Sequence, residues 1–330
     1  MDKISMETSN IKSLVLVLVL SLIFTFSLVH LTFELPRLIH KVLVKIIPEY
    51  PIPVGLKKLI EPLRPYGYIT LIILLILSLI GFIVKKFKLT TFSSVVTQLT
   101  VFGHFAFTMF VFAGIGVVRL VWLPILEISP DLLKLGNIIL IPMLVIEAIV
   151  YGLGLMGVEL MKAYFYTSLI TMFLGALILF MGTMTWLYGK FKGVELINFW
   201  IYKYSRHPQY LGFLIYSYGL LILAAITPAP KGGYFPLPTL PWLIAALLII
   251  DVAILEEIEL RKKLGESFEK YRKITPFMFP LPKELEFLIK LPAKLVLRKD
   301  FPRNRREVIL ITLIYASLLI ILSIPLRHLW

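Results

Sequence analysis

Two short segments carry the chemistry-bearing residues of this chain. The first is Arg206-His207-Pro208-Gln209-Tyr210-Leu211-Gly212, and the second is Glu256-Glu257. Each stands at the edge of a long apolar stretch, where a pair of carboxylates is costly beside lipid. His207-Pro208 reads as a helix start, because proline suits a first turn whose N–H groups have no partner in the helix. That leaves the His207 ring and neighbouring N–H groups aimed at the boundary. Gly212 permits close backbone approach, and Tyr202, Tyr204 and Tyr210 add aromatic surface. The glutamates have a plain alternative, pairing with Lys203 or Arg206. The tyrosines have one too, as an interfacial aromatic belt. The histidine and the glycine together are not explained by a belt. The chain between the segments is long enough to cross a bilayer and return, so both clusters are expected on one membrane face, lining a pocket at its boundary.

The elements that must hold them are long and apolar. Of 330 residues, 58% are hydrophobic, more than a soluble domain carries. Runs of about 20 apolar residues are long enough to cross a bilayer. They fall at Ser13–Phe33, Tyr66–Val84, Leu89–Val118, Leu135–Gly157, Ala163–Gly189, Pro208–Pro230, Gly232–Ile250 and Val308–Leu326. The runs do not alternate in polarity, which argues against a β-barrel. The expected fold is all-α, a polytopic transmembrane bundle of about eight spans with a cytoplasmic helical extension. The first run is long for a signal peptide and lacks a small-residue cleavage site, so it reads as a retained helix. Residues 34–65, punctuated by Pro36, Pro48, Pro51, Pro53, Pro62 and Pro65, read as an interfacial connector. Two parts are expected, an N-terminal helical part at 1–160 and a C-terminal part at 161–330 that carries the motifs.

The net charge is +14 and there is no cysteine. Disulfides, thiolate metal sites and a cysteine nucleophile are thereby excluded, and no metal site is expected. The charge lies between apolar runs, so nucleic acid is a poor partner. Residues 258–306 hold fourteen Lys and Arg against six Asp and Glu, a net of +8. The positive-inside rule places them in the cytoplasm, and with them the loop 190–207. The same charges suit anionic lipid headgroups, although a topology signal alone explains them equally well. The rule conflicts with eight full spans at Lys85-Lys86-Phe87-Lys88, which would then lie outside.

Three further features have bland readings. Gly152-Leu153-Gly154-Leu155-Met156-Gly157 matches a dinucleotide fingerprint but lacks the strand before it. It lies in an apolar helical run, where small residues let helices approach. His104 and Glu147 fall within spans and read as an interhelical hydrogen bond. Glu257, Leu260, Leu264, Phe268 and Tyr271 recur at helical spacing, so 257–271 reads as one amphipathic helix that Thr275-Pro276 ends.

The two motifs together, with Leu260, Gly265, Phe268 and Tyr271 following the glutamates, resemble the membrane methyltransferases that act on isoprenylcysteine carboxylates and phospholipids. The resemblance covers about 185–280. That family's pattern has Phe-Gly where this chain has Leu264-Gly265, and a tyrosine where it has Phe268. The resemblance implies S-adenosylmethionine as cofactor, with no separate nucleotide-binding domain. By position it implies cofactor contacts at Leu196, Ile197, Tyr202, His207, Pro208, Gln209, Tyr210, Gly212, Glu256 and Glu257. A carboxylate suits the cofactor's ammonium or ribose, and tyrosine faces suit its sulfonium. The isoprenylcysteine enzymes carry an arginine one turn before the glutamates; here Val252 stands there, beside Asp251. Arg206 or Arg261 would replace that clamp on an acceptor carboxylate. Alternatively a lipid amine is the acceptor, with Asp251 or Glu257 binding it and acting as base. The acceptor, prenylated or lipid, is expected to enter from the bilayer. A sterol-reductase-type enzyme using NADPH is the alternative within enzymes. It usually has an acidic residue where Phe213 follows Gly212. A non-catalytic lipid-binding protein is the alternative outside them.

Overall fold

The computed structural model describes residues 3–43, 65–66, 69, 72, 129–154, 157–226, 237, 239–299 and 301–328. Every regular element among them is helical. Helix α1 is Lys3–Leu43; a 3-10 helix at Pro130–Leu140 leads into α2, Ile141–Gly152; α3 is Val158–Phe191. A short 3-10 helix, Trp200–Lys203, precedes α4 at Pro208–Ile226 and α5 at Thr239–Leu264. Then come α6 at Glu266–Ile274, α7 at Lys283–Leu297 and α8 at Arg305–Ser323, closed by a 3-10 turn at Ile324–Leu326.

Among the described residues, four segments are long and apolar enough to cross a membrane: Ile11–Thr32, Asp131–Gly152, Glu159–Phe191 and Arg305–Leu326. They match four of the eight expected runs. Pro208–Leu223 is a shorter apolar helix. The runs Tyr66–Val84 and Leu89–Val118 fall, but for three residues, outside the described residues, as do His104 and most of the proline-rich connector. Part of that connector is corrected: positions 34–43 continue α1 through Pro36.

Among the described helices, α3 and α4 form the most extensive contact, and glycines set the distance. A Cβ on Gly212 would stand 2.4 Å from the Leu179 nitrogen, and one on Gly175 would stand 2.3 Å from the Tyr216 nitrogen. Gly182 meets Gln209, and Gly219 meets Met172. On each helix the two glycines are seven residues apart, so they share a face and let the backbones touch. The buried core gathers there, with Leu28 of α1, Leu179 of α3, Phe213 and Tyr216 of α4, and Ile249 and Ala253 of α5.

Polar ties cross the apolar interfaces. Thr32 of α1 and the Tyr216 hydroxyl of α4 are 2.7 Å apart. Trp242 of α5 donates to Ser217 of α4 at 3.2 Å, and Thr312 of α8 donates to Asp251 of α5 at 2.5 Å. Glu147, half-buried on α2, lies against Tyr164 of α3; its proposed partner His104 is outside the described residues.

Two local expectations are corrected. Residues 257–271 are not one helix: α5 ends at Leu264, and Gly265, with φ +53°, turns the chain into α6. A side chain is strained at that positive φ, which glycine adopts freely. Among the described residues, the glycines at 152–157 pack against no helix. Gly154 and Gly157 have φ of +72° and +66°, and nothing lies near the Cβ positions of Gly152, Gly154 or Gly157. Gly154 and Gly157 stand between α2 and α3, outside both helices.

Candidate functional site

The site lies where the start of α4, the last turns of α5 and the end of α6 meet. His207 caps α4, its carbonyl accepting from Leu211 N–H at 3.0 Å. Ser205 Oγ accepts from the His207 N–H at 3.2 Å. Pro208 takes the first helical position, as proline can without losing a bond. The chain direction is thereby fixed, and the His207 ring turns toward α5.

Arg206 and Glu257 form the base of the site. Arg206 Nε donates to Glu257 Oε1 at 2.6 Å, and Nη2 donates to Oε2 at 3.2 Å, a bidentate pair. Nη1 donates to the carbonyls of Arg272 at 2.9 Å and Thr275 at 2.5 Å. The backbone N–H of Arg206 donates to the Pro276 carbonyl at 3.0 Å. One guanidinium thus joins three segments by capping the end of α6 and neutralising a carboxylate on α5. The Glu257 side chain is fully buried and that of Arg206 nearly so. Burial alone would raise the Glu257 carboxyl. The hydrogen bond from His207 and the charges of His207 and Arg206 outweigh it, holding the group below its ordinary value.

His207 stands between the two glutamates. Its Nε2 is 3.0 Å from Glu257 Oε1, and its Nδ1 is 3.8 Å from Glu256 Oε2. An ionised carboxylate only accepts hydrogen bonds, so Nε2 carries the proton on the Glu257 side. In the neutral ring Nδ1 is then an acceptor facing Glu256. The ring packs edge-on against Phe277, with centroids 5.0 Å apart.

Glu256 differs from its neighbour. Its side chain is 46% exposed, while that of Glu257 has no exposure. The buried Tyr210 hydroxyl donates to its Oε1 at 2.6 Å and fixes its orientation. Burial by the surrounding chain raises this carboxyl above its ordinary value, only partly countered by His207 and Tyr210. Adjacent glutamates therefore have opposite environments. One is spent inside the protein and the other is oriented but open.

The remaining expected residues are distributed around this cluster. Tyr202 is buried; its carbonyl accepts from the Tyr271 hydroxyl at 2.7 Å. Burial, then the nearby Glu256, pushes its phenol well above the ordinary value. Gln209 reaches away, donating to Thr183 of α3 at 3.3 Å. Gly212 faces the α3 backbone, so its observed role is helix packing. Ile197 is buried over Gly189 of α3. Leu196 follows Glu195, whose carboxylate is 4.0 Å from Lys263 Nζ near the end of α5. Asp251 lies more than a turn before the glutamates and is tied to Thr312 of α8. Arg261 does not reach the cluster; its Nε is 2.6 Å from Glu269 Oε1.

Sequence reasoning missed Phe277 and the carbonyls of Arg272, Thr275 and Pro276. Thr275-Pro276 signals a helix stop, and nothing local marks that stop as the partner of an arginine seventy positions earlier. Among the described residues no cluster of His, Asp and Glu is arranged to hold a metal ion. No protein-family model, curated protein or solved structure matches the chain.

Proposed function

We propose that the chain is an integral, multi-pass membrane methyltransferase using S-adenosylmethionine, with its site facing the cytoplasm and its acceptor borne by the membrane. The acceptor is a prenylated cysteine carboxylate or a lipid headgroup. One observation carries the reading: His207 and Tyr210 converge on the half-open carboxylate of Glu256, nearly fifty positions later in the sequence.

The residues fit such a cofactor. Glu256 Oε2 lies 3.8 Å from His207 Nδ1 on a carboxylate that Tyr210 orients and that is 46% exposed. That arrangement favours a donor-rich cation, and an ammonium suits it. Tyr210 holds the carboxylate, and Arg206 with Glu257 holds the imidazole. The aromatic surface of Phe277 and Tyr210 beside the ring would attract a sulfonium. The cofactor would supply the electrophilic methyl group. The chain supplies orientation and exclusion of water, which matter most for an in-line displacement.

Calorimetry on the purified protein with S-adenosylmethionine and, separately, NADPH tests this. Binding of the first is expected, with Glu256→Gln and His207→Ala each weakening it on the order of ten- to a hundredfold, the range for a hydrogen bond to a charged group. Binding of NADPH alone overturns the reading in favour of a reductase. Binding of neither favours a non-catalytic protein. Incubation with a lipid extract and methyl-labelled cofactor then identifies the acceptor.

A further inference from the structure

We propose that the seating of α6 is coupled to the site: the site is organised only while α6 is docked, and a bound cofactor holds α6 in place. What that cofactor is rests on the reading above; the coupling rests on the contacts of α6. Its nine residues are too few for a stable isolated helix, which needs roughly 12–15. The order of α6 therefore comes from its neighbours. Phe268 is its one buried side chain, while Ile274 is 82% exposed. Gly265 joins it to α5 at φ +53°, with nothing near its Cβ position. Apart from the Phe268 anchor, α6 is held by polar bonds and by a surface ion pair between Arg261 and Glu269, a kind of contact that contributes little stability.

Those polar bonds are made with the site itself. The Tyr271 hydroxyl of α6 donates to the Tyr202 carbonyl at 2.7 Å, and the Tyr202 phenol lies near Glu256. Arg206 donates to the carbonyls of Arg272 and Thr275 with the same guanidinium that pairs with Glu257. Glu257 in turn lies 3.0 Å from His207 Nε2. Just past α6, Phe277 packs edge-on against the His207 ring, and the Arg206 guanidinium stands 5.7 Å from its centroid. Release of α6 thus withdraws the packing beside His207 and two of the four side-chain bonds that orient Arg206. The ordering of α6 and the geometry around Glu256 are one equilibrium. Linkage makes the effect reciprocal: a ligand that needs the organised site favours docked α6 by the same factor. Local opening of a weakly anchored unit is an event that such a ligand suppresses.

Amide hydrogen exchange of the full protein in detergent tests this, followed by mass spectrometry of peptides covering α6 and, as a control, α7. Tyr271→Phe keeps the ring and deletes one hydrogen bond. In that variant α6 is expected to exchange about fivefold faster, the factor for one such bond, with α7 unchanged. Gly265→Ala, strained at its positive φ, is expected to speed α6 in the same way. S-adenosylmethionine at a hundred times its calorimetric Kd is expected to slow α6 exchange by up to about a hundredfold, again with α7 unchanged. Equal α6 exchange in Tyr271→Phe and the parent overturns the proposal. Binding of S-adenosylmethionine with no added protection of α6 also overturns it, and leaves the methyltransferase reading standing. Absence of binding overturns that reading and the coupling to its cofactor together, so the two failures are distinct.

Discussion

Glu256 and Glu257 are identical in type and adjacent in sequence, yet their surroundings give them separate tasks. Glu257→Gln leaves Arg206 buried without its counter-charge. A buried pair broken from one side costs about 3–5 kcal/mol, so a large drop in the thermal midpoint of the purified protein is expected. Glu256→Gln keeps an acceptor for Tyr210 and is expected to change that midpoint little while removing most cofactor affinity. A matching loss of stability in both variants would contradict the division. The pH dependence separates them as well. Glu257 sits below its ordinary value when folded; the stability it provides is present above that value and lost as pH falls through the folded one. Glu256 sits above its ordinary value when folded. Its contribution is the reverse, present at low pH and lost as pH rises through the folded value. If the proposed cofactor is held by the ionised Glu256, its binding should therefore weaken on acidification at a pH above the ordinary carboxylate range. Calorimetric titrations at stepped pH check this, and a midpoint at or below that range would count against Glu256 as the ligand.

At the scale of elements, glycines divide into those that let helices touch and those that let the chain turn. Gly212→Ala puts a methyl group against the Leu179 backbone, where no flexible side chain can yield. Overpacking of this kind costs about 1–3 kcal/mol. Gly152→Ala adds a methyl group to open space, so it is expected to leave stability unchanged or slightly higher. Melting the two variants side by side in one detergent reads the difference. Sequence patterns revealed much of the helical content, because apolar runs of bilayer length admit few other structures. They did not separate these glycines. A packing glycine at 175 or 219 and a turn glycine at 154 or 157 sit in similar apolar text, and only the partner backbone or the sign of φ tells them apart. The break at Gly265 was hidden for a related reason. The spacing from Glu257 to Tyr271 stays helical across it, while one positive φ redirects the second half. The motif residues were legible in type, and the convergence of His207 with both glutamates followed from hairpin length. The grip of Arg206 on the α6 carbonyls was not, since it depends on where α6 ends.

Across the whole molecule, α5 links the site to the rest of the described bundle. Its last turns carry the glutamates, its middle packs on α4, and Asp251 joins it to α8. Asp251 was a candidate base from sequence, but the Thr312 contact gives it a different partner. The Thr312 hydroxyl has one proton and two acceptors, the Asp251 carboxyl at 2.5 Å and its own Val308 carbonyl at 2.9 Å. Asparagine retains an oxygen to accept and amide hydrogens to donate, so Asp251→Asn preserves the α5–α8 tie while abolishing any base. Leucine removes the tie and leaves Thr312 to its helix. If Asp251 acts by joining helices, Asp251→Asn should leave methyl transfer within about threefold of the parent, a change too small for loss of a proton acceptor in the transition state. Asp251→Leu should instead lower thermal stability by about 1 kcal/mol, the net worth of one hydrogen bond. A fall of a hundredfold or more in Asp251→Asn, on the scale of a lost general base, with stability intact would restore the carboxylate to the reaction and make α8 its positioning helix.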